Sequence, residues 1–213
     1  MRFPILSAAF AALCFALPAT AQKMTSASQT GTRAETRLAV MAEDFSKFAI
    51  ASLTHGQPEW KASYDTMLDK LKGKLNRLGK DWFTTLVNSG PIEIGGSKIP
   101  AGYYIVGLHC DEKGQFSLAF MDAGQATKQG VTPFDQWKPE FTAPLTLNKG
   151  VAKEDVKLMT MTFTHDETKP GAGTFTLAWG KHTLTAPVML HTNDPKPEHG
   201  KTEEHGKKPA GHQ

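Results

Sequence analysis

Two stretches in the last third of the chain repeat with a period of two. Met159, Met161 and Phe163 alternate with Thr160, Thr162 and Thr164, and Phe175, Leu177 and Trp179 alternate with Thr174, Thr176 and Ala178. Successive side chains of a strand point to opposite faces, so this period describes strands with one face in a core and one in water. Gly180-Lys181 then offers a two-residue turn with glycine first, the II′ geometry that matches strand twist. That turn predicts Trp179 opposite His182, Leu177 opposite Leu184 and Phe175 opposite Ala186, all six on one face. A slip of one residue would turn every apolar side chain outward, so the register is tightly specified.

The same pattern recurs upstream. Phe48 to Leu53 reads as a first strand, closed by His55-Gly56-Gln57-Pro58. Ile92 and Ile94 precede the turn dipeptide Gly95-Gly96. Tyr103 to Cys110 is apolar on both parities, as in a strand covered on both faces, and Phe116, Leu118 and Phe120 share one face beyond a turn at Asp111-Glu112-Lys113-Gly114. Between them Tyr64, Leu68, Leu71, Leu75 and Leu78 recur at steps of four and three, which predicts an amphipathic helix from Ser63 to Gly79, with Gly73 as its weak point. Thr132-Pro133 resembles a cap and first turn of a short helix carrying Phe134 and Trp137. Many short strands with glycine and proline turns point to a mainly β domain, a jelly-roll-like β-sandwich with one packed helix, over residues 36–190. Apolar residues make up 39% of the 213, enough for a core without a disulfide framework.

The ends differ in kind. Met1-Arg2, the uncharged run Ile5 to Leu17 and the small-x-small Ala19-Thr20-Ala21 form a cleavable signal peptide over 1–21, with Gln22 as the expected new N-terminus. The run is too short for a stable membrane anchor, and no transmembrane anchor is expected elsewhere. A periplasmic or extracellular location follows. Residues 22–35, rich in Ser, Thr and Gln, read as a flexible leader, and 191–213, filled with Pro, Gly, Lys, Glu and His, as a disordered tail.

Few groups carry chemistry. The chain has no Gly-x-Ser-x-Gly elbow, no His-Glu-x-x-His and no Cys-x-x-Cys; Gly95-Gly96-Ser97-Lys98 lacks the rest of a phosphate loop. No catalytic residue and no cofactor is assigned. His109-Cys110-Asp111-Glu112 sets four metal-ligand types in a row, yet strand alternation sends neighbours to opposite faces, so no metal site is expected in the domain. His191, His199, His205 and His212 of the tail are candidates for weak metal binding only, because nothing gathers them. Signal cleavage leaves Cys110 alone, and burial as a small hydrophobe is expected of it. His55, Trp60 and Trp82 are the candidate ligand-binding residues. A net charge of +3 without a basic stripe speaks against nucleic acid.

Several pieces resemble a bacterial secreted family, domain of unknown function 2911: His55-Gly56-Gln57-Pro58 with Trp60-Lys61, Arg77-Leu78-Gly79 with Trp82, Ile92 through Tyr104, and Thr176 through Gly180 with Thr185-Ala186-Pro187-Val188. The resemblance spans about Phe48 to Leu190 and implies a secreted or periplasmic β domain without an assigned activity. Where that family carries a Trp-Arg-x-Gly-Ala-Asn-Glu run, this chain has Trp82-Phe83-Thr84-Thr85-Leu86. The expected function is a non-catalytic envelope or ligand-binding module whose partner is a small molecule, a glycan or an envelope component. The alternative is a hydrolase whose site is assembled only in the fold.

Overall fold

The structure, a computed structural model, describes residues 33–66, 68–149 and 155–193. The signal segment, most of the leader and the tail beyond Asn193 lie outside the described residues, among them His199, His205 and His212. The chain is mainly β. Its strands are β1 (Arg33–Met41), β2 (Phe48–Gly56), β3 (Lys74–Arg77), β4 (Thr84–Asn88), β5 (Ile92–Ile94), β6 (Ser97–Ile99), β7 (Gly102–Cys110), β8 (Phe116–Asp122), β9 (Phe141–Lys149), β10 (Val156–His165), β11 (Ala172–Gly180) and β12 (His182–Leu190). Two short helices, α1 (Leu68–Leu71) and α2 (Ala123–Lys128), complete the described elements with one 3-10 turn at Ala62–Tyr64.

The strands pair antiparallel in the order β1-β2-β4-β7-β8-β9-β12-β11-β10. Strand β9 turns the corner: Phe141 to Leu145 pair with β8, and Thr146 to Lys149 pair with β12. The far edges then meet without a ladder. Phe163 N–H donates to Thr36 Oγ1 at 2.9 Å and Met161 N–H to His55 Nε2 at 3.3 Å, so side chains of β1 and β2 close the sheet against β10 into a nearly complete barrel. Phe120, Phe175, Leu53, Leu86, Leu118 and Ile99 are fully buried inside it. A second cluster, Ile105, Met121 and Ala126 with Trp137 against it, lies on the outer side of β7 and β8 under α2.

The β11–β12 hairpin has the predicted register: Trp179 faces His182, Leu177 faces Leu184 and Phe175 faces Ala186. Gly180 has φ +59° and Lys181 stays out of the positive range, as a II′ turn requires. Any Cβ on residue 180 would also fall inside the Trp60 ring, so glycine is required twice over. Gly95 and Gly96, at φ +57° and +82°, turn β5 into β6.

The predicted helix over Ser63–Gly79 does not form as a unit. Among the described residues of that span only Leu68–Leu71 is α-helical; Gly73 sits at φ +69° and stops it, and Leu75 lies in β3, opposite His109. The cause is tertiary. Strand β4 pairs with β7 only from Gly102 to Val106, leaving the edge of Gly107–Cys110 open. Backbone groups there need partners, and β3 supplies them. Pro133 opens a turn rather than a helix, with Thr132 N–H on Asp135 Oδ2 at 2.6 Å; the helix comes earlier, where Asp122 Oδ1 caps Gln125 N–H at 2.9 Å. Strand β1 begins at Arg33, inside the expected leader, and only its Leu38 is buried. At the other end the first tail residues are held: His191 N–H donates to the Pro91 carbonyl, and Asn193 Nδ2 to that of Ser89.

Candidate functional site: an apolar cavity at one end of the barrel

Alternation puts the inward residues of every long strand into a common core, and at one end of the barrel they fail to fill it. Leu108, Phe116, Leu147, Met159, Leu177 and Leu184, from six different strands, line a cavity of about 260 Å³. Each sits near the same end of its strand, so the space is a property of the barrel rather than of one loop. The segment leaving β2 folds across this end. It is anchored by Trp60 N–H on the Lys157 carbonyl, Met159 N–H on that of Pro58 and Gln57 Nε2 on that of Met159.

That segment closes the rim with aromatic rings. Trp60 stands edge-to-face against Trp179 at 5.0 Å between centroids, against Tyr64 at 5.8 Å and against His182 at 5.6 Å; Tyr64 and Trp179 lie 5.1 Å apart. Perpendicular rings at these spacings attract through their quadrupoles beyond the area they bury. Trp179 Nε1 donates to the Pro58 carbonyl at 2.9 Å, which ties the closing hairpin to the crossing segment. His182 Nε2 is buried without a hydrogen-bond partner among the described residues, under the Trp60 ring.

The polar complement of the cavity is small. Asn76 directs its amide hydrogens to the Leu71 and Lys74 carbonyls at 3.2 and 3.1 Å. The guanidinium of Arg77 lies 4.9 Å from the centroid of Phe134, a ring that is 76% exposed, so its charge is turned to the outer surface. None of the lining residues is Asp, Glu, Ser, Thr or Cys. The lining therefore offers no serine, threonine or cysteine nucleophile and no carboxylate pair.

Of the three residues singled out from sequence, only Trp60 is at the cavity. His55 is fully buried in the barrel wall; Nδ1–H donates to the Gly56 carbonyl at 3.3 Å while Nε2 accepts from Met161 N–H. Burial holds its pKa below the ordinary imidazole range, with Arg33 adding to the effect. Trp82 is 52% exposed, stacked edgewise on Phe83 at 5.6 Å, and lines a groove on the outer face with Tyr103 and Val131. Sequence reasoning did not single out Tyr64 or His182 as site residues. The hairpin register already put His182 beside Trp179 on the inward face, whereas nothing local marks Tyr64.

Cys110 is fully buried with Tyr104, Val106 and Phe116. Desolvation, with Asp111 adding to it, pushes its thiol pKa up, away from the thiolate form that reacts. His109 and Asp111 gather no third ligand, and among the described residues no group of three His, Cys, Asp or Glu side chains is placed to hold a metal. His191 stands 3.3 Å from Glu93 Oε1 at the sheet edge. Among the described residues no helix is long and apolar enough to cross a membrane. No family model, no curated protein and no solved structure matches the chain.

Proposed function

We propose that this chain is an exported, non-catalytic ligand-binding module, related to the secreted family it resembles, whose site is the cavity under Trp60, Tyr64 and Trp179. The observation that carries this reading is an unfilled apolar space of about 260 Å³ in a barrel otherwise packed to its centre. Ligand sites are concave, mostly apolar and few per protein, and a small barrel has room for side chains or for one small ligand. The sandwich expected from sequence remains our reading of the body, a sheet folded on itself around a core that includes Phe120 and Phe175.

The lining favours binding over the hydrolase alternative, because it brings His182 no carboxylate and no serine, threonine or cysteine hydroxyl or thiol. It also favours a small molecule over a glycan. A sugar brings many hydroxyls, and each one buried without a partner costs about 1–3 kcal/mol. A screen of fragments with a dozen or fewer non-hydrogen atoms, read by thermal shift, tests the site. Hits are expected for the wild type and should be lost in Leu184→Trp, where the indole fills the space. Absence of hits, or hits that survive the filled variant, would remove the cavity as the site.

A further inference from the structure

We infer that the ligand of this cavity is an uncharged, hydrocarbon-like molecule of about ten non-hydrogen atoms. The inference rests on the cavity being the binding site and goes on to say what it selects. Size comes from volume: an apolar cavity of about 150 Å³ holds benzene, and 260 Å³ scales to a bicyclic ring or an alkyl chain of similar bulk.

Charge selection comes from what faces the space. The cavity wall is mostly leucine, methionine and aromatic ring, it carries no acidic side chain, and two of its polar groups already have partners. Trp179 Nε1 donates to the Pro58 carbonyl and the Asn76 amide to those of Leu71 and Lys74, while His182 Nε2 is buried without a partner among the described residues. The one permanent charge among the lining residues, that of Arg77, sits over Phe134 on the far side of β3. An anion or cation entering would leave water without meeting a permanent opposite charge, a penalty that weakens its binding. A neutral apolar ligand pays no such penalty and gains dispersion contacts on all sides.

Equilibrium dialysis of the full chain near neutral pH against naphthalene and 2-naphthoate separates the possibilities. These probes share one ring system and differ by a carboxylate. Naphthalene should bind at least about a hundredfold more tightly, and Leu184→Trp should abolish its uptake while circular dichroism stays that of the wild type. Should that variant fail to fold, Leu147→Phe narrows the same space from the neighbouring strand β9. Equal affinities, or a preference for the carboxylate, would overturn the charge selection while leaving the cavity a binding site. If neither probe binds, the cavity reading falls and this inference with it.

Discussion

The seam residue His55 works only as a neutral imidazole, because one nitrogen must donate to Gly56 while the other accepts from Met161. Protonation removes the acceptor and places a charge in the barrel wall. Since burial lowers its folded-state pKa, the unfolded chain binds the proton first. The stability it contributes is present above the ordinary value of 6.5 and is lost as pH falls below it towards the depressed folded value. Urea melts from pH 8 to pH 5 should show this slope, and His55→Leu should flatten it while costing about 2 kcal/mol at pH 8, the penalty for orphaning a buried N–H. Cys110 is the second residue whose surroundings fix its behaviour. Folded protein should resist a thiol reagent that labels it at once in urea, and Cys110→Ser should cost about 1–3 kcal/mol for a hydroxyl in an apolar site. Rapid labelling of the native fold would contradict its burial. Burial of this cysteine was legible in the sequence from its shared parity with Tyr104, Val106 and Leu108. The role of His55 was not, since its partner backbone lies more than a hundred residues away.

Among the elements, the β11–β12 hairpin was fully legible because alternation, turn chemistry and register agree there. Gly180→Ala tests that unit. The positive φ and the Trp60 ring both oppose a methyl group, so a loss of about 2 kcal/mol or more is expected in thermal melts; a neutral result would place Trp60 elsewhere. Strand β3 was illegible for the opposite reason. Leu71, Leu75 and Leu78 satisfy a helical period, yet what decides the outcome is the open edge of Gly107–Cys110, which no local window reveals. Strand β1 escaped notice because one buried leucine gives no period to read. The cavity rim divides the same way: Trp179 and His182 follow from the hairpin, whereas Tyr64 reaches them by a crossing segment whose path depends on Lys157 and Met159.

At the scale of the whole molecule, the mainly β class follows from composition and alternation, while the near-closure of the sheet does not, because β9 alone decides it by serving both halves. Mass spectrometry of the protein from its native host is expected to find Gln22 at the N-terminus, and mature protein retaining Met1 would refute export by cleavage. The mode of closure has a dynamic consequence. Neighbours along the main strand order share a backbone ladder, whereas β10 and the β1–β2 hairpin are joined by the side chains of Thr36 and His55 and by a short bridge from the Pro58–Trp60 segment. Side chains exchange partners without unzipping a ladder, so sub-global opening should begin along this line and free the outer edge of β10, still paired to β11, before the rest melts. Native-state hydrogen exchange would register it as faster turnover at the amides of Met161 and Phe163 than at those of Leu118 or Phe120. The breathing of the sheet would then be set along this one line, where two side chains and a short crossing segment stand in for a ladder.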